Sequence, residues 1–361
     1  MDHPPESVGG NAASSPAAQA EALGVALDWG TTNLRAFLIG ADGTVIAQRE
    51  RPWGILSLPA AAAAGGFDQA LEGIAGDWLK AQPQARVLAS GMVGSAQGWR
   101  EAPYLECPVS ATDIALRLTP VATIFGRDLQ IVPGILLNQP DALPDVIRGE
   151  ETQVLGALQT LGAAASARGP TKPAGAETVC FVLPGTHSKW VLVKAGRIEQ
   201  FATYMTGELY ATLRQHSILG RLMKDPSTDA AAAEAGGASA AAFLQACELA
   251  RNSRPGDLMR HLFTARSMNL AGRLPVTALA DYLSGLLIGH ELISATAWLA
   301  EQNAGKAPLV LIGEGALLTR YRAALAAFGL AARNLPNTAP AGLYHLLALA
   351  AGRNHHAPTG H

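Results

Sequence analysis

Two small polar turns, each set between apolar runs, hold the residues best suited to chemistry. The first is Asp28-Trp29-Gly30-Thr31-Thr32-Asn33 and the second is Pro184-Gly185-Thr186-His187-Ser188-Lys189. Turns of Gly, Thr, Ser and Asn present backbone N–H groups and hydroxyls on one concave side, a geometry that binds phosphate oxygens. Asp28 would repel a phosphate unless a divalent cation lay between them. Its place at the end of an apolar run therefore points to a Mg²⁺ ligand, direct or through water. Two such turns facing each other across a cleft would grip the β- and γ-phosphates of a nucleotide from both sides. The donors are then Gly30, Thr31, Thr32 and Asn33 on one side and Gly185, Thr186, Ser188 and Lys189 on the other. His187 either bonds phosphate or fills its turn. A third feature, Gly313-Glu314-Gly315, follows an apolar run and precedes a helical one, and it suits a wall for adenine or ribose.

Competing motifs fail on spacing. No GxxxxGK[ST] occurs, which excludes a P-loop kinase. Gly313-Glu314-Gly315 lacks the third glycine of a dinucleotide fingerprint. His290-Glu291 is not part of HExxH, because residue 294 is Ser, and it reads as a pair on a helix face. Cys107, Cys180 and Cys247 are far apart and odd in number, so they read as reduced, mostly buried thiols rather than a zinc cluster or disulfide framework.

The elements that must position these turns follow from periodicity. Strands are expected over 24–29, 34–40 and 44–49, with Asp42-Gly43 as a hairpin turn. The same grammar returns over 178–183, 189–194 and 197–203, which points to an internal duplication. Helices are expected over 67–80, 150–165 and 277–301, the last amphipathic. Residues 86–95 read as a strand running into a turn, and 308–325 as strand, glycine turn and helix. Residues 166–177 read as a Pro/Gly-rich loop, and 226–242 as an exposed insertion with some helix. The expected organisation is two α/β domains, 23–165 and 178–352, between a disordered tail over 1–22 and a frayed end over 353–361.

Composition agrees with that frame. A chain of 361 residues suits two domains of roughly 150–200 residues each. Lys and Arg number 27 against 29 Asp and Glu, a net charge of -2, so no basic surplus argues for nucleic acid or an anionic membrane. No apolar run reaches the roughly 18–20 residues of a membrane span. The start lacks a basic region followed by an apolar core. The expectation is a cytoplasmic protein, with a homodimer left open.

The segments DWGTTNLR (28–35), LPGTHSKW (183–190) and GEGAL (313–317) resemble the phosphate-1, phosphate-2 and adenosine motifs of the actin/hexokinase/Hsp70 superfamily, in that order. SGMVGSAQGWREAPYLECP (90–108), RGEETQVLGAL (148–158) and MTGELYATLRQHSIL (205–219) narrow the resemblance to the 2-dehydro-3-deoxygalactonokinases, over about residues 24–350. This resemblance implies duplicated ribonuclease-H-like α/β domains with a cleft between them, and ATP and Mg²⁺ as cofactors. It implies γ-phosphate transfer to the 6-hydroxyl of 2-dehydro-3-deoxy-D-galactonate, in galactose or galactonate catabolism. The competing readings are a kinase for another keto-sugar acid, such as 2-dehydro-3-deoxygluconate, and a non-catalytic sugar sensor of the same fold.

Related sugar kinases place a carboxylate base near the cleft, often just before the second turn. Here that turn begins Leu183-Pro184 with no acid, so the candidates are Glu150 and Glu151, after Gly149. A helix N-terminus stabilises a carboxylate as the anion, which a base requires. Acids also cap helices there, and the choice between the two stays open. The implied substrate carries a carboxylate, which suits arginine; Arg35, Arg100 and Arg214 lie in the resembling stretches. By the same resemblance Trp53 and the turn containing Met92, Gly94 and Ser95 line the sugar side.

Overall fold

The computed structural model describes residues 22–140, 142–166, 178–223 and 229–354. The expectations for the tail over 1–21, the loop over 167–177 and the end from 355 lie outside the described residues.

The chain opens with β1 (Ala22–Trp29), β2 (Leu34–Gly40) and β3 (Val45–Arg51), an antiparallel meander. Then come α1 (Gly66–Ala81), β4 (Arg86–Ser90), β5 (Leu105–Glu106), α2 (Ala111–Ala115), β6 (Thr119–Ala122) and β7 (Asp128–Ile131). The first half closes with β8 (Ile135–Leu137), β9 (Asp145–Ile147) and α3 (Glu150–Ser166). Its main sheet runs β3-β2-β1-β4-β7-β6, with β1, β4 and β7 parallel, and β5-β8-β9 form a small separate sheet.

A second meander follows, β10 (Thr178–Leu183), β11 (Ser188–Lys194) and β12 (Arg197–Tyr204). Helices α4 (Thr206–His216), α5 (Asp229–Arg251), α6 (Leu258–Leu270) and α7 (Leu279–Glu301) come next. The chain ends with β13 (Leu309–Ile312), α8 (Gly315–Ala327), β14 (Ala332–Leu335) and α9 (Ala339–Asn354). The sheet order is β12-β11-β10-β13-β14, with β10, β13 and β14 parallel. Five strands in each sheet thus share one order and one set of directions. This is the duplicated ribonuclease-H-like frame of the actin/hexokinase/Hsp70 type.

Both faces of both sheets are covered, so the central strands are apolar almost throughout. Strand alternation sorts their side chains into layers. Val25, Leu27 and Trp29 of β1 pack with Phe67, Leu71 and Ile74 of α1, whereas Ala26 faces the other way. In the second sheet Cys180, Val182, Trp190 and Leu192 pack with α5, α7 and α8, and Phe181, Leu183, Val191 and Val193 face the opposite side. The two opposite sides meet in one shared core around Val154 and Leu155 of α3 and Leu343, Leu346 and Leu347 of α9. Each fully buried Leu or Val there contributes about 1.5–3 kcal/mol by leaving water.

Helices α3 and α9 cross at two glycines. A Cβ on Gly156 would sit 1.9 Å from the Thr338 carbonyl oxygen, and one on Gly342 would sit 1.8 Å from that of Thr152. Thr338 also donates to the Gln153 carbonyl at 2.6 Å. The crossing carries α3, and the carboxylates at its start, close to the second half of the chain.

Where side chains are described, residues 237–241 of the 226–242 stretch are exposed or half-exposed and helical, as expected, and α5 turns inward only from Ala242, burying Phe243, Ala246, Cys247 and Ala250 beyond it. One expectation needs correction. Helix α7 is not amphipathic in the ordinary sense, since its buried residues lie on nearly every face. The stretch 276–301 is long and apolar enough to cross a membrane, and most of it is buried inside the molecule.

Candidate active site

Strand parity decides where the two turns aim their charges. Asp28 lies two residues beyond Ala26, so it faces the shared layer, and Lys189 shares that orientation with Val191 and Val193. Helix α3 begins in the same layer. Lys189 is buried, and its Nζ lies 3.6 Å from Glu150 Oε1. On the Asp28 side, Arg35 Nη1 lies 3.5 Å from Asp28 Oδ2, and its Nε lies 3.4 Å from Glu50 Oε1. Asn33 donates to the same Glu50 oxygen at 3.0 Å.

Each turn is propped differently. The first turn is backed by residues 54–56, whose N–H groups donate to the carbonyls of Thr32, Gly30 and Thr31. A Cβ on Gly54 would lie 2.2 Å from Thr31 backbone atoms, so only glycine allows this stacking. Thr31, Thr32 and Asn33 are left exposed. The second turn rests on α4, where the Glu208 N–H donates to the Thr186 carbonyl at 2.9 Å and the Glu208 carboxylate pairs with His187 Nε2.

The carboxylates differ in kind. Burial pushes the Asp28 pKa up, with the nearby Glu150 and Glu50 adding to the shift and Arg35 pulling it down. Glu151 is fully buried, and burial together with Glu150 pushes its pKa up to about 8. Its Oε2 accepts from the Gly149 N–H at 2.6 Å, while Oε1 is buried without a hydrogen-bond partner. Glu150 keeps a quarter of its side chain exposed and accepts from the Arg148 N–H at 3.0 Å.

A cleft of about 600 Å³ lies between the halves and meets this cluster through Arg35, the partner of Asp28. One wall is Arg35, Phe37, Gln48 and Glu50, and the other includes Pro184, Gly313, Glu314 and Asn337. Gly313 and Gly315 adopt φ of 151° and 72°, and Glu314 accepts from the Asn337 N–H at 3.2 Å. The glycine turn is thus held open along the wall of the cleft.

Residues 28–346 match the family model described as 2-keto-3-deoxy-galactonokinase. The chain belongs to that family. It is 39% identical over 311 residues to a probable 2-dehydro-3-deoxygalactonokinase of Rhizobium meliloti, covering 85% of this chain and 90% of the relative. It is 33% identical over 305 residues to the 2-dehydro-3-deoxygalactonokinase of Escherichia coli, covering 84% and 90%. A crystal structure from Sinorhizobium meliloti, assigned to the same kinase, superposes with a TM-score of 0.74 at 34% identity, covering 92% of this chain and 99% of that one.

Not every residue singled out in the sequence of this family member reaches the site. The Ser188 side chain is a correction: alternation turns it away from the cleft, and its hydroxyl donates to Glu291 Oε1 at 2.8 Å. Arg100 is another, since its Nη1 donates to the Pro120 carbonyl at 3.0 Å, on the edge strand β6. The Trp53 ring lies over Gly73 of α1. Met92 packs against the α1 core, Ser95 donates to the Met92 carbonyl at 2.7 Å, and Gly94 is buried beneath Arg148. Arg214 is half-buried on α4.

Two residues escaped the sequence reading. Arg148 stacks on Tyr104 at 4.2 Å and donates to the Ala102 carbonyl, while its Nε and Nη1 are buried without partners. Its only signal was its place before Gly149-Glu150-Glu151. Glu291 is not one of a pair on a helix face but a buried carboxylate, fed by Ser188, Trp190, Thr206 and Tyr321. Burial raises its pKa and those four donors pull it back. A glutamate inside an apolar helix was the signal.

Proposed function

We propose that the chain transfers the γ-phosphate of ATP to the 6-hydroxyl of 2-dehydro-3-deoxy-D-galactonate, releasing ADP. The observation that carries this reading is the convergence of Asp28, Glu150 and Lys189, from three separate elements, beside the cleft whose lining includes Arg35, the partner of Asp28, and Pro184 of the second turn. The N–H and hydroxyl groups of Gly30, Thr31, Thr32 and Asn33, with those of Gly185 and Thr186, bind the phosphates. Gly313, Glu314 and Gly315 bind the adenosine. Arg35 belongs to the nucleotide side, because it shares the cleft wall with Phe37 and Glu50.

Asp28 is the residue that would hold Mg²⁺, directly or through water. Its fit is electrostatic: Glu150 and Glu50 both oppose ionisation of Asp28, and a divalent cation relieves that repulsion. Mg²⁺ needs only one or two carboxylates beside waters and phosphates. Bound there, it supplies charge neutralisation on the transferred group. Glu150 is the base of choice over Glu151, being accessible and paired with a cation, while Glu151 is sealed in the core. The O6–P bond forms as the bond from Pγ to the bridging oxygen breaks, and the O6 proton passes to Glu150. Arg148, with its unpaired nitrogens beside Glu151, replaces Arg100 as the cation offered to the sugar-acid carboxylate. We place the reaction in the cytoplasm, where ATP is supplied.

The test is ADP release from Mg·ATP with 2-dehydro-3-deoxy-D-galactonate, its gluconate epimer, or no sugar. Turnover with the galactonate compound is expected. Turnover on the epimer alone would move the substrate, and none on either would favour a sensor.

A further inference from the structure

Glu291 lies on α7, behind the second turn rather than in the cleft. It is 4% exposed, and no lysine or arginine pairs with it among the described residues. Each of its oxygens takes two donors. Ser188 Oγ and Trp190 Nε1 reach Oε1, both at 2.8 Å. Tyr321 Oη reaches Oε2 at 2.6 Å, together with Thr206 Oγ1. These four donors come from three elements with a common neighbour. Ser188 follows the second turn directly on β11. Thr206 opens α4, whose Glu208 binds both the backbone of Thr186 and the ring of His187. Tyr321 stands on α8, which starts at Gly315. A single carboxylate therefore ties together the strand that leaves the second turn, the helix that supports that turn and the helix that follows the glycine turn.

A carboxylate buried without a counter-charge carries a desolvation cost that its four hydrogen-bond donors must offset. An apolar side chain would pack α7 against β11 without that cost. It would not fix the angle between the second turn, α4 and the glycine turn.

We propose that Glu291 is a positioning residue for the nucleotide, holding the second phosphate turn in register with the adenosine turn through Ser188, Thr206 and Tyr321. This rests on the reading of the cleft as an ATP site. Glu291 touches neither nucleotide nor sugar. Its loss shifts nucleotide affinity and leaves the sugar side, built from the first half, as it was.

The experiment measures ADP affinity by calorimetry and KM for each substrate on the full chain. Three variants are compared with the unaltered protein: Glu291→Gln, Tyr321→Phe, and Glu291→Gln combined with Thr206→Val and Tyr321→Phe. A glutamine keeps its oxygen on Ser188 and Trp190 but makes the Thr206 and Tyr321 hydroxyls turn to accept from its NH₂, and it loses the charge of all four bonds, so Glu291→Gln should weaken ADP about tenfold, with KM for the sugar acid unchanged. Removing both hydroxyls leaves that NH₂ buried without an acceptor, so the triple variant should weaken ADP further. Tyr321→Phe should weaken ADP about threefold and keeps the test open if Glu291→Gln does not fold. ADP affinity unchanged in the folded variants, or nucleotide and sugar KM rising together, would overturn the proposal. An unaltered protein that binds no ADP would instead overturn the nucleotide reading on which it stands.

Discussion

The two turns are built on equivalent sets of three strands, yet they carry opposite charge and different support. The first ends its strand on Asp28 and rests on the backbone of residues 54–56, stacked beneath Gly30, Thr31 and Thr32, with one side-chain bond from Asn33 to Glu50. The second replaces the acid with Leu183-Pro184, brings in Lys189, and adds to one backbone bond from Glu208 the side-chain pairs of His187 with Glu208 and Ser188 with Glu291. A duplicated frame fixes where a turn stands, because strand order and register carry over. It does not fix what the turn presents, because a single residue at a strand end can change sign without disturbing the sheet. The halves therefore differ in what they place at the start of α3: the first brings carboxylates there and the second brings a cation to meet them. Helix α3 joins the two, with Glu150 set between Asp28 and Lys189.

That difference can be broken at the first turn. Asp28→Ala should lower kcat by about 10³-fold while circular dichroism stays native, since the effect acts on charge at the transferred group. A kcat within about tenfold of the unaltered protein would remove Asp28 from the chemistry. At the junction, Glu150→Gln should cost about 10²-fold in kcat, the usual worth of a positioned base. An unchanged pH–rate profile in that variant would argue against proton transfer to Glu150.

Glu151→Gln sharpens the contrast between the adjacent acids. With a pKa near 8 in the fold against an ordinary 4.5, Glu151 is protonated in the native state at neutral pH. The folded chain then binds more protons than the unfolded one, so this group's contribution is fully present below pH 4.5 and is lost as pH rises through about 8. Glutamine mimics the protonated acid. The variant should keep near-normal activity at pH 7 and show a shallower fall in Tm between pH 5 and 8 than the unaltered protein. An equally steep fall would contradict the assignment.

The smallest effect is expected at the second turn. The His187–Glu208 pair is half exposed, and such pairs contribute about 0.2–1 kcal/mol. His187→Ala should change kcat/KM by no more than about fivefold, measured at saturating sugar acid. A loss near that of Asp28→Ala would place the imidazole on the phosphates.

The turns, the glycine pair and the repeated meander were legible because each is a local pattern. Alternation and turn chemistry act over a few residues, and they fixed the strands around Asp28 and Lys189 within a residue or two. The family was legible for the same reason, as its motifs are short and contiguous. Ser188 was misjudged because a turn residue and the first residue of a strand look alike in sequence, and only pairing with Tyr204 sets its facing. Glu291 and Arg148 were missed because their partners lie far along the chain; Glu291 meets Ser188 across 103 residues. Neither burial nor a shared layer is written into any one segment. The choice between Glu150 and Glu151 belongs to the same class. Sequence placed both at a helix start, and the crossing of α3 with α9 turned one toward Lys189 and sealed the other in the core.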